Sequence, residues 1–264
     1  MNIIGQTKLL SKIDMYCAKQ SLPKTLMFIG PKGCGKHLIA SYIAIKYNLD
    51  LVSVDTTFSG EDIDSFNYKT IKTLYLIDLS NYTEKQQNIF LKALEEASST
   101  AYFILITNSE AGVLSTILNR CTKYYFEPYT KEQIEQITNT AVDSQAFKIF
   151  QTPGKLLNLT ESSFKNILNL AKKIVHEINT MKYANALAIS TKINYKDFYD
   201  KVDFDLFLDA VEYLALDDYK NNGIEQSFVI FKITNQFKQY ATRGKLIKET
   251  LMLNYITTLW EAIT

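Results

Sequence analysis

Residues Gly30-Pro31-Lys32-Gly33-Cys34-Gly35-Lys36-His37 complete the pattern G-x-x-x-x-G-K between two segments of opposite character. Before them runs the apolar stretch Leu26-Met27-Phe28-Ile29, a buried-strand signal. After them, Leu38, Ile39, Tyr42, Ile43 and Ile45 recur at helical spacing over residues 36–47. Strand, glycine-rich turn and helix in that order make a phosphate-binding loop. Its backbone N–H groups, from residues 31–36, cradle a phosphate at a helix N-terminus. Gly33 and Gly35 permit the close approach, and Lys36 reaches the β- and γ-phosphates. The position after the lysine normally carries a Ser or Thr hydroxyl for magnesium. Here it is His37, which offers nitrogen to a hard cation that selects oxygen.

The same alternation continues downstream. Residues 51–55 and 73–78 read as strands, 84–96 as a helix, 102–107 as a fully apolar strand, and 124–126 as a last short strand before Pro128. Strands separated by helices predict an α/β fold with a parallel sheet covered on both faces. The strand Leu74-Tyr75-Leu76-Ile77 ends in Asp78, placed to support a magnesium ion from behind its ligands or, more plainly, to cap a turn. Leu79 follows, an apolar side chain where a carboxylate could have acted as a base. Leucine cannot polarise water, and losing such a base removes a factor of about 10² to 10⁴ in rate.

Beyond Pro128 the pattern turns helical. Short helices are expected over 131–139 and 144–150, with a turn at Thr152-Pro153-Gly154. From Phe164 onward the apolar positions recur at helical spacing to Ile263, with a break at Asn221-Asn222-Gly223. The expected division is a nucleotide-binding domain over 1–128, a small helical lid over 129–162 and an all-α collar for oligomerisation over 163–264.

The 264 residues carry a net charge of +1, so nucleic-acid contact would depend on a local patch. Lys69, Lys72, Lys85 and Lys92 offer one, although scattered lysines more often make a solvated face. Three widely spaced cysteines, Cys17, Cys34 and Cys121, form no C-x-x-C pair, which predicts no zinc and a reduced, cytoplasmic setting. The first ten residues do not read as a signal peptide, and no apolar run approaches the ~18 residues that span a bilayer.

Several stretches together give a specific resemblance. Ile3-Ile4-Gly5-Gln6, Leu22-Pro23, the phosphate loop, Glu84 to Glu96, Tyr102-Phe103-Ile104-Leu105-Ile106-Thr107-Asn108 and Leu114 to Cys121 resemble the motifs of an AAA+ clamp-loader subunit. The likeness is greatest to the delta-prime subunit of bacterial DNA polymerase III. It covers residues 1 to about 157. It implies that Ile3 and Ile4 lie over the adenine, that Gly30 to His37 with Asp78 form the phosphate and magnesium site, and that Asn108 acts as sensor 1. It implies that Arg120, within Asn119-Arg120-Cys121, is a finger for a neighbour's ATP site, where such a residue is worth about 10³ to 10⁵ in rate. Without the motif, Arg120 reads as a helix C-terminal cap.

The sequence also departs from that pattern. No cysteine lies in 38–73, where bacterial delta-prime subunits carry a zinc module. Gly154, with Lys155 beside it, takes the place of the sensor 2 arginine. Ile63, Phe66 and Tyr68 occupy the region where related subunits press on a sliding clamp, or else pack under the sheet. The expected ligand is ATP or ADP, with magnesium only if nucleotide binds. The expected partners are other clamp-loader AAA+ subunits, a sliding clamp and primer–template DNA touched at its backbone, with no membrane. The expected role is DNA replication by a subunit that does not hydrolyse ATP. A weak autonomous ATPase and an AAA+ adaptor outside replication are the alternatives.

Overall fold

The computed structural model describes residues 3–54, 70–96, 98–157, 159–190, 193–194, 202–242 and 248–264. Ile63, Phe66 and Tyr68, the candidate clamp contacts, lie outside the described residues. The chain forms two compact units, one of residues 1–141 with 152–154, the other of 142–151 with 155–264.

The first unit is built on five parallel strands: β1 (Thr25–Ile29), β2 (Asp50–Val54), β3 (Thr73–Asp78), β4 (Ala101–Thr107) and β5 (Thr122–Tyr125). Their order is β2-β3-β4-β1-β5. Every residue of β1 is buried, and so are five of the six in β3. Both faces are covered, which is why these segments read as continuous apolar runs rather than as alternating ones. Phe28 meets Tyr124 and Phe126 edge-on, and Tyr75 stacks on Phe103 across β3 and β4.

Around the sheet lie α1 (Thr7–Ala18), α2 (Lys36–Lys46), α3 (Glu84–Gln87), α4 (Ile89–Glu95), α5 (Ser115–Leu118) and α6 (Lys131–Thr138). α1 was not foreseen. It buries only Leu9 and Ile13, too short an apolar stripe to stand out in the sequence. The helix expected over 84–96 is two pieces meeting at Asn88. The first is started by a capping box in which Thr83 and Gln86 bond each other's backbone N–H.

The second unit holds α7 (Ser144–Phe150), α9 (Glu161–Glu177), α10 (Tyr183–Ser190), α11 (Phe204–Asn222), α12 (Glu225–Thr242) and α13 (Lys248–Ile263). Between the units in sequence stands α8 (Pro153–Leu156), where a turn was expected. Proline suits a first helical position because its missing N–H is not needed there. The all-helical expectation is also interrupted by a two-residue parallel pair, β6 (Ile193–Asn194) with β7 (Val202–Asp203). The expected break after α11 is a C-terminal cap, with Gly223 at φ 69°.

Two polar clusters lie inside this helical unit. Asp209 on α11 is buried and receives Lys155 Nζ and Lys238 Nζ, each at 2.7 Å. Asp218 is likewise buried; Ser227 donates its hydroxyl to Oδ2, and Asn222 Nδ2 donates to Oδ1 at 2.7 Å. The Ser227 hydrogen bond, then Asn222 and the charge of His176, hold the Asp218 carboxyl below its ordinary value. A depressed folded-state pKa contributes stability above the unfolded value of about 4, and that contribution is lost as pH falls through the folded value. Asp218→Asn should therefore be less stable than wild type at pH 7, and the gap should close below about pH 4. Urea midpoints at pH 7 and pH 3 check this, and an unchanged gap would contradict it.

Candidate phosphate-binding site

The site starts where β1 stops. Ile29 pairs in register with Thr107 of β4, and Asp78 of β3 lies opposite Ile106. Gly30, Asn108 and Asp78 therefore leave the sheet at one edge, the carboxyl ends of parallel strands where ligands of such sheets bind. Gly30 N–H continues the ladder to Thr107 O at 3.2 Å. A Cβ on Gly30 would stand 2.8 Å from Phe126 Cβ and 3.0 Å from Cys34 Sγ, so only glycine fits. Gly33 and Gly35 have φ of 85° and 95°, a region side chains rarely adopt, and Gly35 caps the start of α2. Cys34 is buried behind the loop, and that burial pushes its thiol up.

Lys36 is only 8% exposed. Its Nζ donates to Gly30 O, to Pro31 O at 3.1 Å and to Asn108 Oδ1 at 3.2 Å. Lys36 and Asn108, each expected in the nucleotide site, are thus in direct contact. Burial pulls the Lys36 ammonium below its ordinary value, and its electrostatic interactions with Cys34 and then Asp78 oppose that. Asp78 itself caps the turn Leu79–Asn81, with Oδ1 accepting from Ser80 N at 3.0 Å. His37 is exposed in the first turn of α2.

Leu79, at the position where the sequence led us to expect a hydrolytic base, points away from solvent. It is 2% exposed and lies in one apolar cluster with Tyr82, Phe90, Leu105 and Ile117. The chain has filled this place with core rather than with a neutral polar stand-in.

Ile3 and Ile4 are half-buried and lead into a fixed corner. The buried Gln6 amide bonds Glu127 O and Glu127 N, both at 2.8 Å. Gly5, at φ 79°, lies under the ring of Tyr129, which would be 2.7 Å from an added Cβ. The same tyrosine donates its hydroxyl to Cys34 O at 2.9 Å. Tyr129 thus joins the N-terminal segment to the phosphate loop, and burial pushes its phenol up. From the far end of the unit, Thr152 Oγ1 donates to Lys32 O at 3.1 Å and Gly154 N–H to Gly33 O at 2.9 Å. A Cβ on Gly154 would stand 2.7 Å from Gly33 Cα, which leaves no room for a longer residue. Tyr129 and Thr152 carried no signal in the sequence, because each acts on a backbone oxygen far away along the chain.

Arg120 is not among the partners of the loop. It follows α5, where Nη1 donates to Thr116 O at 2.7 Å and Nη2 pairs with Glu95. That is the helix-end contact of a C-terminal cap, in a partly exposed pair of the kind worth about 0–1 kcal/mol. The segment leading to α5 is held by the buried Gln87 amide, which bonds Gly112 O at 2.7 Å and Leu114 N at 3.0 Å.

The donors suit the phosphates of a nucleotide: a glycine cradle, a helix N-terminus and a buried cation. They do not suit a magnesium centre of the usual kind. His37 supplies no side-chain oxygen at the position after Lys36, which leaves Asp78, with Oδ1 on Ser80 N, as a single carboxylate.

Residues 60–130 match the sequence family described as DNA polymerase III, delta subunit. Among curated proteins, the chain is 24% identical over 205 residues to DNA polymerase III subunit gamma/tau of Mycoplasma pneumoniae, which covers 65% of this chain and 30% of the relative. It is 23% identical over 188 residues to the replication factor C small subunit of Staphylothermus marinus, covering 64% of this chain and 56% of the relative. The chain thus spans less than two thirds of these relatives. In structure it resembles a DNA polymerase III gamma subunit-related protein of Thermotoga maritima, with a TM-score of 0.52, 12% identity, and 96% of this chain and 99% of the other covered. No helix among the described residues is long and apolar enough to cross a membrane.

Leu79→Glu is the direct test of how the base position is built. Burying a carboxylate among Tyr82, Phe90 and Ile117 should cost about 3 kcal/mol or more. A urea midpoint close to wild type would show that the position faces the loop after all.

Proposed function

We propose that this chain, which belongs among the AAA+ clamp-loader subunits, works as a member of an ATP-driven assembly without hydrolysing ATP itself. The observation that carries the reading is Leu79, packed into the core directly after Asp78. A site without a base, and with histidine in place of the magnesium hydroxyl, lacks two contributions that cannot be recovered by small motions. Hydrolysis then belongs to neighbouring subunits, and this chain contributes to it in trans.

In this reading Arg120 is the residue contributed. Its contacts to Thr116 O and Glu95 are a resting arrangement on a partly exposed surface. A surface pair is weak enough to be exchanged for the phosphates of a neighbour's nucleotide, where a guanidinium meets two oxygens at once. Gln87 and α5 hold the backbone that presents it. The assembly places a sliding clamp on primer–template DNA, which this chain touches through phosphates alone. Residues 129–162 act as a lid and 163–264 as a collar. The delta-prime-like role follows from the same two features, an inactive pocket and a retained arginine.

The test is ATPase activity of the reconstituted assembly, with an intact AAA+ partner, clamp and primed DNA. Arg120→Ala should lower the rate by about 10³ while leaving assembly intact by gel filtration. Glu95→Gln, which frees the arginine, should leave the rate at or above wild type. A rate unaffected by Arg120→Ala would remove the trans role.

A further inference from the structure

Three successive peptide oxygens of the phosphate loop are each held from outside the loop. Lys32 O accepts from Thr152 Oγ1 at 3.1 Å, Gly33 O from Gly154 N at 2.9 Å, and Cys34 O from Tyr129 OH at 2.9 Å. None of the peptide bonds among the described residues is cis. In a planar trans peptide, the C=O of one residue and the N–H of the next point in opposite directions. Holding the oxygens of residues 32, 33 and 34 outward therefore turns the N–H groups of Gly33, Cys34 and Gly35 to the other side. The left-handed φ values of Gly33 and Gly35 give the alternation that makes such N–H groups converge on an anion. Cys34 N–H makes a 3.3 Å bond to Pro31 O, while those of Gly33 and Gly35 have no acceptor among the described residues.

Lys36 supplies the second, independent observation. It is buried and touches only the neutral oxygens of Gly30, Pro31 and Asn108. Among the described residues no carboxylate comes within 4.0 Å of its ammonium. A buried cation without a counter-charge is costly, and an incoming anion would relieve that cost.

We propose that Tyr129 and Thr152 are positioning residues of the phosphate loop. Their hydroxyls, with Gly154 N–H, hold the loop in its anion-binding shape before a ligand arrives, so that the diphosphate of a nucleotide is taken up without magnesium. The proposal rests on reading this loop as the nucleotide site of a non-hydrolysing subunit. It also accounts for Gly154 in place of an arginine. A backbone N–H reaches Gly33 O only if nothing larger than hydrogen stands on Cα. In a magnesium-dependent pocket the metal and its hydroxyl ligand help to order the phosphates. Here the order is built into the protein.

The experiment is calorimetric titration of ADP into the full chain, in EDTA and again in magnesium. Wild type, Tyr129→Phe, Thr152→Val and Thr152→Ser are compared, with thermal melting as the measure of fold. Wild type should bind ADP with affinities within about threefold in the two buffers. Tyr129→Phe and Thr152→Val, each losing one hydroxyl, should weaken binding about three- to tenfold, and Thr152→Ser should stay within about twofold of wild type. A merely structural role would lower melting temperature and leave ADP affinity unchanged. ADP affinity of the Phe and Val variants equal to that of wild type, or wild-type binding only with magnesium, overturns the proposal. Absence of ADP binding in both buffers overturns it too, but leaves the trans role of Arg120 standing, because the assembly ATPase tests that separately.

Discussion

The pairing of β1 with β4 sets the terms for the rest of the site. With Ile29 opposite Thr107 and Asp78 opposite Ile106, three strands of the sheet finish nearly level. The residues just beyond them then share one edge: Gly30 opening the phosphate loop, Asn108 beside Lys36, and Asp78 capping a turn. Such level ends come from strands buried on both faces, where a slip in register would be paid for along the whole strand. The helix after Gly35 starts at the same edge, so its unsatisfied N–H groups and the buried lysine face the same place.

What the protein has done with this arrangement differs at each position. The glycines and the lysine remain fit for phosphate. The magnesium position holds an exposed histidine, and the base position has been given to the core. Burying a leucine such as Leu79 is worth about 2 kcal/mol, so the residue after Asp78 serves packing. The loop carbonyls are braced by Tyr129, Thr152 and Gly154, which gives the loop a defined shape of its own.

Much of this was legible in the sequence. The strands β1, β3 and β4 stood out because they are runs of apolar residues, and the loop between β1 and α2 has a fixed residue pattern. The defects at His37 and Leu79 were visible as letters. That Leu79 turns inward was not, since a side chain's direction after a strand depends on the turn that Asp78 caps. Tyr129 and Thr152 were hidden for a different reason. Their partners are main-chain oxygens 95 and 120 positions away, and a bond to the backbone leaves no partner residue to recognise. Arg120 was open to two readings, and the contact with Thr116 O is the helix cap. A role on another subunit would depend on a surface this chain does not carry.

The central claim is that the phosphate loop no longer serves hydrolysis by this chain. Phosphate release from magnesium-ATP by the purified chain alone, run beside Lys36→Met, tests it most directly. The account predicts that both proteins release phosphate no faster than buffer. Steady turnover by wild type that Lys36→Met abolishes would place a working hydrolytic site in this chain and contradict the account.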